Sequence, residues 1–189
     1  IRISILPTVY GEKIVMRILD RDNFLKTKEE LGFTKSNMEK FNSLLDVTNG
    51  IILASGPTGS GKTTTLYSIL NKMNDERINI TTVEDPVEIK LDGINQVQVN
   101  PRADITFASC LRAILRQDPD VVMIGEIRDY ETLEAAIHAS ITGHVVLSTL
   151  HTNSAAATVV RLTEMGAAAH LVATALEGII AQRLVRRLC

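Results

Sequence analysis

The nine residues "GPTGSGKTT", Gly56 to Thr64, constrain this chain more than any other stretch. They follow the apolar run "GIILASG", which reads as a buried strand from Gly50, and they open a helical pattern from about Lys62 to Met73. A G-x-x-x-x-G-K-T turn between a buried strand and a helix is a phosphate-binding loop. Gly56, Gly59 and Gly61, with Pro57, Thr58 and Ser60 between them, let successive backbone N–H groups point inward as an anion nest. The helix N-terminus adds partial positive charge, Lys62 reaches the outer phosphates, the Thr63 hydroxyl ligates Mg²⁺, and Thr64 closes the segment.

The rest of the chain supplies the sheet that such a loop needs. "INITTVED" (Ile78 to Asp85), Val121 to Ile124 and "HVVLSTL" read as further strands. Helices are expected at about Thr106 to Arg116, Tyr130 to Ile141, Ser154 to Met165 and His170 to Leu188. Strands alternating with helices predict an α/β fold, a mostly parallel sheet covered on both faces. Asp92-Gly93, between two alternating runs in "VEIKLDGINQVQV", predicts a hairpin. The opening "IRISILPTVYGEKIVMRILD" reads as two strands and a turn, too small for a domain. The apolar spacing from Asn23 to Phe41 predicts a linker followed by an amphipathic helix. These signals divide the chain into residues 1–22, 23–42 and 43–189.

Composition removes several functional classes. Among 189 residues, 45% are hydrophobic and 22% charged, which suits a folded domain rather than a disordered one. Lys and Arg number 20 against 22 Asp and Glu, a formal net charge of −2, so no global basic field favours nucleic acid. No apolar run reaches the roughly 18–20 residues of a membrane span. Cys110 and Cys189 have no disulfide-framework spacing, and Cys110, among Phe107, Leu111 and Ile114, reads as a core thiol in a reducing compartment. Ile1 falls inside a strand pattern and Cys189 follows "QRLVRRL" abruptly, as in a chain cut from something longer.

The remaining chemistry lies where strands end. Parallel strands finish on one edge of the sheet, so Glu126, after Val121 to Ile124, faces the loop at Gly56 and can reach Mg²⁺ through water. Asp120 and Asp129 read as caps at either end of that segment. Glu84 and Asp85 finish the strand from Ile78, and Glu84 is placed as a general base for water; the other reading is an acidic turn before Pro86. Glu88, two residues past that proline, is the weaker candidate. His144 and His151 bracket the "HVVLSTL" strand, His151 at the phosphate end with Thr149. Arg112 and Arg116 share a helix face and Arg128 follows Glu126, whereas Arg2 and Arg17 sit on the N-terminal hairpin. Solvation is the alternative for each, but such a hairpin could deliver an arginine finger to a neighbouring subunit. The GTP-specifying Asn-Lys-x-Asp run is absent, since "NKMN" ends in Asn74.

Four blocks in order, "GPTGSGKTT", "TTVEDPVE", "LRQDPDVVMIGEIRD" and "TGHVVLSTLHTN", closely resemble the secretion-ATPase superfamily, specifically the type II secretion and type IV pilus assembly ATPases. The resemblance covers essentially the whole chain. It implies a RecA-like domain over residues 43–189, preceded by the last strands of a PAS-like domain in residues 1–22. It also implies a hexameric, Mg²⁺-dependent ATPase on the cytoplasmic side of the bacterial inner membrane, working on a secretion or pilus platform with no transmembrane segment of its own. By motif, Lys62 and Thr63 take phosphate and metal, Glu84 activates water, Glu126 is the Walker B acid, and His144 and His151 form the His box. Arg2 and Arg17 match arginines offered to ATP across a subunit boundary. The wording "LRQDPDVVMIGEIRD" is similar to the assembly and secretion branch rather than the retraction branch. That branch commonly continues from the position of Cys189 into a Cys-x-x-Cys pair, where Cys189 would be the first zinc ligand; one cysteine alone makes no tetrahedral zinc site.

Overall fold

Four strands are buried at every position: β3 (Gly50–Ser55), β4 (Ile80–Glu84), β6 (Val121–Ile124) and β7 (Val145–Leu150). A strand buried on both faces needs helices on both sides, and the computed structural model provides them. It describes residues 2–17 and 25–186, apart from the side chains of Arg2 and Arg17. With β5 (Asn95–Gln98) and β8 (Leu176–Ala181), these strands form one six-stranded sheet in the order β5-β4-β6-β7-β3-β8. Every pairing in it is parallel.

Alternation along β3 divides the core in two. Ile51 and Leu53 join Leu111, Ile114, Leu133, Ile137, Leu162 and Val172, from α3 (Phe107–Ile114), α4 (Tyr130–Ile141), α5 (Ala155–Glu164) and α6 (Ala169–Ala175). Ile52 and Ala54 join Leu66, Tyr67, Ile69 and Leu70 of α2 (Lys62–Met73), with Phe41 of α1 (Lys35–Leu45). The helix starts follow capping rules: Thr106 accepts from Ser109 N, Asp129 from Thr132 N and Ser154 from Ala157 N. Asp120 caps as well, its Oδ2 accepting from Asn79 N at 2.7 Å. Cys110 is a buried free thiol whose pKa is raised by burial.

Two sequence expectations fail. Asp92-Gly93 turns the chain but makes no hairpin, because β5 pairs parallel to β4, with Thr81 opposite Asn95 and Glu84 opposite Gln98. Residues 87–91 are bonded instead by side chains from β5: Gln96 Oε1 accepts from Leu91 N at 2.7 Å, and Gln96 Nε2 donates to Ile89 O at 3.0 Å. The helix expected from His170 to Leu188 ends at Ala175, and β8 takes over alongside β3. Gly178 lies so close to Leu44 that a Cβ there would collide with that side chain, and the β-branched pair Ile179-Ile180 suits an extended chain. A short apolar run cannot decide between helix and strand by periodicity; packing against β3 decides it.

The N-terminal strands β1 (Arg2–Thr8) and β2 (Gly11–Arg17) pair antiparallel as a separate two-stranded sheet. Ile3, Ile5, Leu6, Ile14, Val15 and Met16 are each more than half exposed, so neither hairpin face is covered. Among the described residues no helix is long and apolar enough to cross a membrane.

Leu53 is fully buried in the middle of β3. Leu53→Ala is expected to lower unfolding free energy by about 2–5 kcal/mol, read in urea as a lower midpoint at unchanged slope.

Candidate active site

The loop from Gly56 to Gly61 leaves the end of β3 and enters α2. Gly56, Gly59 and Gly61 have φ of 145°, 78° and 88°, the left-handed region that a nest of N–H groups requires. The space is as restrictive as the torsion at Gly56, where a Cβ would collide with the Gln182 carbonyl oxygen and with Ser60 Oγ. Lys62 lies over the loop, its Nζ donating to Gly56 O at 2.9 Å and Pro57 O at 3.1 Å and standing 3.5 Å from His151 Nδ1. Burial lowers the pKa of this ammonium, with the Glu126 carboxylate opposing the shift.

The parallel edge brings the acids to this loop. Thr63, Glu84, Asp85, Glu88, Gly125, Glu126 and Thr149, among others, line one cavity of about 110 Å³. Thr149 Oγ1 donates to Gly125 O at 2.8 Å and Ser148 Oγ to Ile124 O at 2.7 Å, which fixes the ends of β6 and β7 together. Glu126 is largely buried; its Oε1 meets Arg128 NH2 at 2.5 Å and its Oε2 lies 3.9 Å from His151 Nε2. Arg128 is thereby held firmly protonated.

The two glutamates after β4 differ in kind. Glu84 is buried and fully engaged: Tyr67 donates to Oε2, while Thr82 Oγ1 at 2.6 Å and Gln96 Nε2 at 3.1 Å donate to Oε1. Burial and the hydrogen bond to Glu84 push the Tyr67 hydroxyl pKa well up, so it stays a donor. Glu88 has a buried Oε2 without a hydrogen-bond partner among the described residues. Both line the cavity, but the expected water-activating acid is held by three donors, whereas the weaker candidate carries a buried oxygen without one. That distinction depends on Tyr67 and Gln96, which belong to other elements.

His151 joins the site, whereas His144 does not. The latter sits before β7, its Nδ1 2.9 Å from Ala139 O and 3.2 Å from Thr142 Oγ1. Seven residues of extended chain put it roughly 23 Å from His151. Arg112 bonds Glu131 at 2.6 Å and Arg116 bonds Arg112 O at 2.8 Å, both exposed. Arg2 and Arg17 pair across the hairpin in register, with side chains outside the described set; Cys189 also lies outside it. Gln182 went unmarked in the sequence because it fell inside an expected helix; its Nε2 donates to Ser60 O at 2.7 Å.

The donor set fits a magnesium nucleotide. Thr63 and the cavity carboxylates offer only hard oxygen ligands, the kind Mg²⁺ prefers. No group of three or more His, Cys, Asp or Glu side chains among the described residues could hold a metal unaided.

The family model described as Type II/IV secretion system protein matches residues 1–189. A "Putative type II secretion system protein E" of Escherichia coli K12 is 57% identical over the whole chain, which covers 38% of that relative. The "Type IV pilus assembly ATPase PilB" of Acinetobacter baylyi is 54% identical over the whole chain, which covers 32% of it. The crystal structure of the pilus retraction motor PilT with bound ADP superposes with a TM-score of 0.80 at 35% identity, over 96% of this chain and 54% of that one. The chain therefore spans well under half the length of these curated relatives.

Burial, then the positive charge of Lys62, depresses the His151 pKa; Glu126 opposes them and Arg128 adds to them. Its NMR titration midpoint should fall below the ordinary value of about 6.5, rise in Lys62→Ala and fall further in Glu126→Gln. With the folded pKa depressed, the stability His151 contributes is present above about pH 6.5 and is lost as pH falls through the folded pKa.

Proposed function

The chain belongs to the type II/IV secretion system protein family, and on that premise we propose that residues 43–189 bind and hydrolyse Mg²⁺-ATP to drive a secretion or pilus-assembly machine. The observation that carries this reading is the shared cavity where Thr63, Glu88 and Glu126 meet at the end of a phosphate-binding loop. Higher identity to the secretion and assembly relatives than to the retraction motor favours assembly.

Each residue has a physical role. The loop amides and the start of α2 bind the phosphates, and Lys62, already poised over Gly56 and Pro57, neutralises their outer charge. Thr63 and Glu126 would hold Mg²⁺, Glu126 through water, with Arg128 and His151 setting the direction of its carboxylate. Bound Mg²⁺-ATP supplies the phosphoryl group and a metal that spreads its negative charge. Glu88, with its unpartnered buried oxygen, orients and deprotonates the attacking water, while Glu84 ties α2 to β4 and β5.

At the level of the whole protein, the working form is a homohexamer at the cytoplasmic face of the inner membrane. There β1 and β2, the end of a PAS-like domain, bring Arg2 and Arg17 to a neighbouring subunit's nucleotide. Both faces of that hairpin are uncovered, which supports its packing against more than the described chain. Motion comes from ordering those arginines when ATP binds and releasing them after hydrolysis.

Mg²⁺-dependent phosphate release tests the assignment. Lys62→Ala should abolish nucleotide binding. Glu126→Gln and Glu88→Gln should each bind ATP and lose about 100-fold or more in turnover, whereas Glu84→Gln should chiefly lose stability. Full turnover in Glu88→Gln, with turnover lost in a stably folded Glu84→Gln, would reverse the roles of the two glutamates.

A further inference from the structure

In an anion nest, the N–H groups that converge on the ligand belong to planar peptides whose carbonyls point the opposite way. Those carbonyls need donors on the outside of the loop. The Ser60 carbonyl receives one from Gln182, whose Nε2 lies 2.7 Å away. Ser60 and Gly61 share one peptide plane, so holding the Ser60 oxygen outward holds the Gly61 N–H inward. Gly61 has φ of 88° and no Cβ to resist a flip of that plane. A donor fixed from outside is what prevents the flip.

Gln182 is fixed by the sheet. Ser55 is in register with Ala181, so Gln182 falls beside Gly56, and its N–H donates to Ser55 O at 2.9 Å. Its own carbonyl is packed against Gly56 so closely that a Cβ there would collide with it. One residue therefore touches both ends of the loop. Its Oε1 is buried without a hydrogen-bond partner among the described residues, which leaves the donation to Ser60 to orient the amide. The next residue, Arg183, donates to Asn153 Oδ1 at 3.0 Å, two positions past His151.

We propose that Gln182 is a positioning residue for the phosphate-binding loop: its side-chain amide fixes the Ser60–Gly61 peptide so that the Gly61 N–H faces bound phosphate. The chain leaving β8 is thereby tied to the nucleotide's phosphate end, and through Arg183 to the segment that carries His151. This rests on reading residues 56–64 as a phosphate site.

The test is equilibrium binding of inorganic tripolyphosphate and of ATP to the 189-residue chain. Gln182→Met keeps side-chain length and removes the donor; Gln182→Ala removes both. Each variant should weaken tripolyphosphate and ATP by about the same factor, roughly tenfold, at an unchanged unfolding midpoint of the unliganded chain. A role in packing alone would spare Gln182→Met. Gln182→Met binding tripolyphosphate as tightly as the parent chain would overturn the proposal, as would a loss that merely follows the fraction unfolded. A parent chain that binds neither ligand would instead remove the phosphate-site reading on which the proposal stands.

Discussion

β3 is hydrogen-bonded on both edges, to β7 and β8, and covered on both faces. Its backbone has no alternative partner and no access to water, so the position at which the strand ends is set by register rather than by local preference. Gly56 begins where that ladder stops. Because every neighbour in the sheet is parallel, Glu84, Gly125 and Leu150 finish on the same edge. The cavity is a consequence of that alignment, and β-branched and leucine side chains deep in two cores hold it open.

Charge at the edge is arranged in opposition. Arg128 meets one oxygen of Glu126, and His151 stands between the other and Lys62. Burial lowers the pKa of both Lys62 and His151, and the neighbouring Glu126 carboxylate opposes the shift in each. A polyphosphate and its metal entering such a cluster alter every member of it. The Glu84 carboxylate is withdrawn from this exchange by its three donors. It acts as a rivet between α2, β4 and β5.

What the sequence made legible was governed by local rules. The strand, glycine turn and helix around Lys62 obey torsional and capping constraints contained within some twenty residues, and Glu126 follows from strand polarity alone. The Asp92-Gly93 turn misled because the partner of β5 lies across β4 in parallel, and bonds from the Gln96 side chain have no sequence signature. β8 was hidden because Gly178 and two isoleucines become a strand only when pressed against β3 and Leu44. Gln182 was lost with it. The contrast between Glu84, held by three donors, and Glu88, with an unpartnered oxygen, was equally out of reach, since it turns on Tyr67, a residue of α2 with no visible tie to the acidic block.

The central claim is that one edge of this sheet gathers a nucleotide's phosphates, its metal and the acids that act on them. Amide chemical-shift mapping during titration with ATP, first without and then with Mg²⁺, tests it most directly. The account predicts that residues 56–64 move on ATP addition, that Glu88 and Glu126 move further when Mg²⁺ follows, and that His144 stays where it was. ATP-induced shifts that leave residues 56–64 unmoved, or Mg²⁺-dependent shifts centred on the His144 end of β7, would contradict it.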